Sequence, residues 1–320
     1  MQHLIRRYGT LVGFVAIVVF FSAMLPDTFL TARNWLNITQ QVSMLMVVAA
    51  GMTIVMVMGD FDLSVGSTAS LAGVVAALMM ASGYPIEQAL LAALAVGLVG
   101  GAFNGLMVSY LGILPFIATL ATMTMFSGAA FVASGGKTIS GRAIPEAFGN
   151  FARGGVPLGE WGGVAVNIPN LSIIAVLVVL GVWILMEQTT FGRRLYAIGG
   201  NMEAAHLSGI AVKRLRLAAF ALTGLAAAGG GLMYASRVAS ANPVQGSGLM
   251  LNAIAAVFLG TTMSRHGEPK ILATVVGVLV LGVLDNGLTQ MRVDSYVRQV
   301  LVGALILLAV AASSVSQSRR

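Results

Sequence analysis

The chain has 320 residues, of which 58% are hydrophobic and only 9% are charged. A soluble globular domain carries about 25% charged residues, so the composition excludes such a domain and predicts that lipid is the main solvent. The net charge of +7 suits either nucleic acid binding or basic cytoplasmic loops, and in a chain this apolar it favours the loops over a nucleic acid partner.

Ten apolar segments are candidates for membrane spans, each of which needs about 20 residues. They cover residues 9–25, 38–58, 65–82, 88–108, 116–134, 168–187, 216–235, 250–263, 271–290 and 295–313. The third and eighth are short and bounded by Gly or Ser, so we interpret them as possible broken or re-entrant helices. The first follows Arg6 and Arg7, as in a signal peptide, but no cleavage pattern follows it, and we expect a retained helix. The sequence predicts an all-α, polytopic membrane protein with one transmembrane domain over residues 1–320.

The basic residues predict how the chain lies in the membrane. If all ten segments cross, both termini share one side with residues 190–216, and that side receives most of the Lys and Arg. Basic loops stay in the cytoplasm, so we expect cytoplasmic termini and an external segment at 135–169. That external segment is rich in Gly and Pro, which predicts irregular structure.

Two spans show a weak repeat. The fourth ends in Gly-Ala-Phe-Asn-Gly-Leu at 101–106 and the ninth in Gly-Val-Leu-Asp-Asn-Gly-Leu at 282–288. The two run in opposite directions in the predicted topology, which favours an inverted repeat of a transporter. Shared membrane composition explains so short a match equally well.

Polar residues at membrane depth are the candidate lining of a solute route. Asp60, Asp62 and Ser64 interrupt the apolar pattern between the second and third spans. A charge there is tolerated where it meets a partner or a water path. Asp62 or Ser64 can equally cap the third helix, and this structural interpretation is at least as strong. Asn104, Asp285 and Asn286 are further candidates, although a membrane Asn more often bonds a neighbouring helix.

Other motifs do not support a catalytic or cofactor site. Residues 134–138 contain Gly-Lys-Thr, but a phosphate loop needs another Gly, a preceding strand and a following helix. His3, His206 and His266 lack a second ligand at metal-binding spacing, and the chain has no cysteine. The tandem glycines 97, 101 and 105 are typical of helix packing. We therefore predict no catalytic residue, no metal and no cofactor.

The longest basic segment, residues 189–216, lies between two apolar blocks. Asn201 can cap a short helix that Gly209 ends. The small face of this helix, with Arg193 and Arg194 beside it, favours docking of a partner protein or contact with lipid phosphate. A basic loop without any partner is an equal alternative.

Three stretches make the chain resemble permeases of bacterial ABC sugar importers of the ribose/xylose/arabinose type. They are Gly-Asp-Phe-Asp-Leu-Ser-Val-Gly at 59–66, Thr-Leu-Ala-Thr-Met at 119–123, and Thr-Phe-Gly-Arg-Arg-Leu-Tyr-Ala-Ile-Gly-Gly-Asn at 190–201. The third continues into Glu203-Ala204-Ala205-x-x-x-Gly209, which is similar to the coupling loop of importer permeases. Asp60-Phe61 departs from the Gly-Ile or Glu-Ile of many members.

The resemblance implies about ten helices, with the second to fifth related to the seventh to tenth. It implies a bacterial inner-membrane subunit that pairs with a second permease, a cytoplasmic ATPase and a periplasmic sugar-binding protein. The residues expected to couple to the ATPase are Gly192, Arg193, Arg194, Asn201, Glu203, Ala204, Ala205 and Gly209. The import of a non-sugar solute, such as a furanosyl signal or nucleoside, stays open. So does a proton-coupled carrier using Asp285, whereas the lack of a nucleophile or metal constellation argues against a membrane enzyme.

Overall fold

Helices form most of the protein in the computed structural model, which describes residues 2–161, 164–264, 267–304 and 307. The all-α prediction is confirmed. The helices are α1 (Gln2–Met24), α2 (Ala32–Met56), α3 (Val65–Ala81), α4 (Ile86–Ser109), α5 (Pro115–Ser134), α6 (Glu146–Arg153), α7 (Asn170–Trp183), α8 (Thr190–Gly200), α9 (Met202–Leu207), α10 (Val212–Val238), α11 (Ser247–Thr261), α12 (Ile271–Gln290) and α13 (295–304).

Each predicted span falls on a helix. By length and composition, α2, α4, α5, α10 and α12 can cross a membrane, and so can α7 with the π-helix that extends it over Ile184–Gln188. α3 and α11 have 17 and 15 residues, which agrees with their interpretation as broken spans. The end of the tenth predicted span lies outside the described residues. Apolar side chains cover the exposed faces of α5 and α7, as lipid contact requires.

The central pair of helices, α2 and α10, defines the two ends of the bundle. Gly51 lies against Ala226, and Gly230 lies against Val48, so the two helices run antiparallel. α8 packs against residues that follow α2 at one end, where α9 also lies. We call this the basic end. Residues 135–161 and 164–169 lie at the opposite end, where Gln40 donates to the Ala152 carbonyl oxygen at 2.7 Å. We call that the cap end.

The cap end is more regular than the sequence predicts. Residues 135–169 contain a 3₁₀ turn at Gly141–Ala143, helix α6, and a β-hairpin of β2 (Gly155–Trp161) and β3 (Val164–Pro169). A two-residue strand β1 (Ile139–Ser140) pairs with β4 (Ser240–Ala241) after α10. The expectation of irregular structure is therefore wrong here. The Gly and Pro residues hide the helix and strand patterns in the sequence. In the structure, Phe148 and Ala152 lie on the buried face of α6.

Two sets of helices, α2 to α4 and α10 to α12, pack in corresponding ways with opposite directions. α4 packs antiparallel on α10, and α12 packs antiparallel on α2. The connections that lead into α3 and α11 share two local features, which are three residues apart in each connection. Gly59 and Ala239 both have positive φ after the preceding helix, and the side chains of Asp62 and Asn242 each accept from the backbone N–H two residues on. The antiparallel α2–α10 pair is what an inverted repeat of these helices predicts.

Glycines bring the helices of the two halves together. Gly97, Gly101 and Gly105 of α4 face the backbone of α10, and a Cβ at any of them would overlap it. This confirms the packing role that the tandem spacing predicts. The first turns of α3 and α11 meet at Gly66 and Gly246, and Ser70 Oγ accepts from Gly246 N at 2.9 Å.

Candidate coupling and transport sites

The first cluster of predicted site residues is a closed polar knot between the α2–α3 connection and α4. Asp62 Oδ1 accepts from Ser64 N at 2.9 Å, from Ser64 Oγ at 2.6 Å and from Asn104 Nδ2 at 3.4 Å. Asn104 Nδ2 also donates to Ser64 Oγ at 2.8 Å. All three side chains are fully or almost fully buried. The cluster therefore holds the start of α3 against α4 and is closed to solvent in this conformation.

Asp60 has a different partner. Its carboxylate accepts two hydrogen bonds from Arg216, with Nε–Oδ2 and Nη2–Oδ1 distances of 2.9 Å and 2.8 Å. This parallel fork is the strongest geometry for an arginine–carboxylate pair. Both side chains are largely buried, at 14% exposure for Arg216 and 7% for Asp60. Asp60 thus forms a structural ion pair with the first turns of α10.

Asp285 and Asn286 lie at the cap end. Gln41 Nε2 donates to Asp285 Oδ2 at 2.8 Å, and Arg298 Nη1 donates to Asp285 Oδ1 at 2.7 Å. Asn286 Oδ1 accepts from Gln290 Nε2 at 2.9 Å. This network ties α12 to α2 and α13.

The six candidate path residues therefore do not form one site. Asp60, Asp62, Ser64 and Asn104 lie toward the basic end, whereas Asp285 and Asn286 lie at the cap end. That these residues line a solute route stays a prediction, and in this conformation all but Asn286 are bonded to a different element of the fold. Hydropathy places residues near a membrane boundary but cannot tell which boundary they share.

The knot gives a stability prediction for Asp62. Asp62→Ala removes the acceptor of three donors, and a buried donor without a partner costs about 1–3 kcal/mol. We expect a lower thermal midpoint and a lower yield of folded protein in detergent. Asp62→Asn is the control, because it keeps an oxygen acceptor and should lose less. Full stability of Asp62→Ala together with lost transport would instead assign Asp62 to the route.

The predicted short helix in the middle segment is confirmed as α9. Asn201 Oδ1 accepts from Ala204 N at 2.9 Å and caps it. Gly209, with φ of +80°, follows its end. Glu203 and Ala204 are exposed on α9, and Arg193 and Arg194 are exposed on α8. Gly192 is buried against the Met186 carbonyl oxygen of the π-helix.

Ala205 is a correction to the predicted docking face. Its exposure is only 5%, and it packs into the hydrophobic core of the protein. The outward face carries Met202 and Leu207, which are 38% and 80% exposed. Ala205→Arg would therefore disturb the packing of α9 and is not a clean test of docking. The face of a six-residue helix depends on what it packs against, which the sequence alone does not give.

Residues that the sequence did not single out hold the basic end together. Tyr196 Oη of α8 lies 2.9 Å from Glu187 Oε1 and 3.2 Å from the Pro269 carbonyl oxygen, which precedes α12. Burial and then the Glu187 carboxylate raise the pKa of Tyr196, so the hydroxyl stays protonated and donates. Gly199 lies against the Val57 carbonyl oxygen. The middle segment is thus fixed to both halves.

The comparisons with known proteins agree on one protein family. Residues 34–310 match the model described as branched-chain amino acid transport system, permease component. The ribose import permease protein RbsC of Bacillus subtilis is 38% identical, with 95% of this chain and 92% of the relative covered. RbsC of Escherichia coli K12 is 36% identical, with 95% of each chain covered. The xylose transport system permease protein XylH of the same strain is 32% identical, with 98% and 93% covered.

No solved structure matches the chain. The family match and the relatives cover nearly all the described helices, including both halves of the repeat and the middle segment. They confirm the resemblance that the motifs at 59–66, 119–123 and 190–201 indicate. The chain therefore belongs to the family of branched-chain amino acid transport system permease components.

Proposed function

We propose that the chain is the membrane-spanning subunit of an ABC importer for a monosaccharide. The observation that carries this proposal is full-length similarity to permeases whose names specify ribose and xylose. An allose permease of Escherichia coli, 34% identical over 95% of this chain, is similar as well. The subunit catalyses no chemistry, and the energy comes from a separate ATP-binding subunit.

The basic end faces the cytoplasm in this proposal. Arg193, Arg194, Lys213 and Arg214 are exposed there, as expected for cytoplasmic loops. Thr10 of α1 is hydrogen-bonded to Thr262, at the end of α11, so α1 also starts toward this end. The cap end then faces the periplasm, where a sugar-binding protein delivers the solute.

The exposed face of α9 is the docking surface for the ATP-binding subunit. Leu207 projects into solvent from a short helix that is capped at both ends, while Ala205 anchors the other face. An exposed apolar side chain on a fixed helix suits insertion into a partner's pocket. ATP-driven movement of α9 then shifts the two inverted halves relative to each other, and this shift changes the side on which the route opens.

The route runs along the interface with a second permease subunit, which we propose to be a second copy of this chain. Asp62, Ser64 and Asn104 are candidate solute contacts in a conformation that opens the knot. Carboxylate and amide oxygens can accept from sugar hydroxyl groups. ATP and solute must each favour one of the two conformations, since equal affinity for both shifts nothing.

Uptake by proteoliposomes tests the proposal. The vesicles contain this chain and the ATP-binding subunit encoded beside it, with the encoded binding protein added outside. Radiolabelled ribose, xylose, allose and leucine are offered separately, with and without ATP inside. We expect ATP-dependent uptake of at least one of the sugars. Uptake of leucine alone would contradict the monosaccharide, and sugar uptake without the ATP-binding subunit would contradict an ABC importer.

A further inference from the structure

The connection between α2 and α3, residues 57–64, receives contacts from the middle segment and its continuation into α10. Arg216 of α10 binds Asp60 through the two-bond fork described above. Gly199 of α8 lies close to Val57, and a Cβ added to Gly199 would overlap the Val57 carbonyl oxygen. Residues 190–216, which carry the docking helix, thus hold residues 57–64 at two points.

The same connection is tied to the helices that surround α3. The Asp62–Ser64–Asn104 knot fixes it to α4, and Thr119 Oγ1 of α5 lies 3.4 Å from the Phe61 carbonyl oxygen. Residue Val65 then starts α3, whose first turn meets α11 at Gly66. A displacement of residues 57–64 therefore reaches the contact between the two halves within a single helical turn.

We propose that the Asp60–Arg216 ion pair is the link through which movement of the docking helix reaches α3. This proposal rests on the proposed function. Arg216 lies on the first turns of α10, which follows α9 closely along the chain. In this proposal, movement of α9 therefore also moves Arg216. A fork of two short, largely buried hydrogen bonds fixes both distance and direction. In this proposal Asp60 and Arg216 are positioning residues, because they act through the position of residues 57–64.

A purely stabilising ion pair predicts a different outcome from a link. Loss of a stabilising pair lowers yield and thermal midpoint, but the protein that remains folded transports with normal efficiency. Loss of a link leaves the ATP-binding subunit docked and active while less solute moves per ATP. The ratio of solute transported to ATP hydrolysed separates these cases, since it is independent of the amount of folded protein.

The experiment measures this ratio in proteoliposomes that hold the assembled complex, with the sugar that the wild-type chain transports. Asp60→Ala and Arg216→Ala are expected to lower the ratio about tenfold, within the usual range of coupling between sites, while ATP hydrolysis continues. Arg216→Lys keeps the charge but loses the fork, and its ratio should be intermediate. Arg33→Ala is the control, because it removes an exposed arginine that lies outside residues 190–216, and its ratio should equal that of wild type.

Charge reversal supplies the decisive variant. Asp60→Arg and Arg216→Asp together restore an ion pair between the same positions, and the ratio should recover at least in part over either single change. If an alanine variant fails to assemble, Arg216→Lys and the reversed pair still give the answer. A wild-type ratio in Arg216→Lys or in Asp60→Ala would overturn the link. Absence of ATP-driven sugar uptake in the wild-type complex would count against the proposed function instead.

Discussion

Gly246→Ala should severely destabilise the bundle. Gly246 precedes α11 where this helix meets the first turn of α3, and an added Cβ would overlap the Gly66 carbonyl oxygen. A backbone atom cannot rotate away as a side chain can, so α3 and α11 must separate. Overpacking of this kind costs about 1–3 kcal/mol. We expect a clear loss of thermal midpoint in detergent, measured by size-exclusion chromatography after heating, and loss of transport.

Gly248→Ala is the matched control for this prediction. It lies two residues further on, inside α11, and no atom lies within 4 Å of its would-be Cβ. Alanine favours a helix over glycine by about 1 kcal/mol, so this variant should be as stable as wild type or slightly more stable. Gly66→Ala should resemble Gly246→Ala, because its Cβ would meet the Gly246 carbonyl oxygen. The double variant should cost less than the sum, since one separation relieves both overlaps.

Equal stability of the Gly246 and Gly248 variants would contradict the close contact of α3 and α11. That contact is one of the places where the two sets of helices meet, so the account of how they move against each other would need a different interface.

Leu207→Asp should abolish ATP-driven uptake without loss of folded protein. Leu207 is 80% exposed on α9, and exposed substitutions usually change stability by less than about 0.5 kcal/mol. A carboxylate inserted into an apolar pocket of the ATP-binding subunit would lose its hydration with no opposite charge to compensate. If Leu207 is an anchor of docking, its loss costs about 2 kcal/mol, or roughly 30-fold in affinity. The measurement is binding of the purified ATP-binding subunit to the permease in detergent, followed by uptake in vesicles.

The controls separate docking from folding. Leu207→Met keeps an apolar side chain of similar size and should retain most binding. The thermal midpoint of Leu207→Asp should equal that of wild type. Normal binding by Leu207→Asp would show that α9 is not the docking surface.

The sequence predicts those features that depend on local patterns. Hydropathy finds the spans because a bilayer needs a fixed length of apolar chain. Asn201 and Gly209 predict the bounds of α9 because caps act over only a few residues. The weak match between 101–106 and 282–288 points to an inverted repeat, and the positive φ of Gly59 and Ala239 at corresponding places agrees with it.

The features that the sequence does not predict depend on contacts between distant residues. The sequence singles out Asp60 but does not show that it pairs with Arg216 on another helix. Ala205 is a candidate for docking until the packing of α9 shows which face is buried. Asp62 and Asp285 are chemically alike in the sequence, yet they lie toward opposite ends of the bundle because α2 and α12 run antiparallel.

Labelling of single cysteines tests the central claim most directly, namely that residues 190–216 form the cytoplasmic segment through which the ATP-binding subunit moves the membrane helices. The chain has no native cysteine, so Ser208→Cys at the basic end and Thr138→Cys at the cap end each add one exposed thiol. A membrane-impermeant maleimide is applied to right-side-out and inside-out vesicles. The account predicts that Ser208→Cys is labelled only in inside-out vesicles and Thr138→Cys only in right-side-out vesicles. Labelling of Ser208→Cys from the outside of right-side-out vesicles would contradict it.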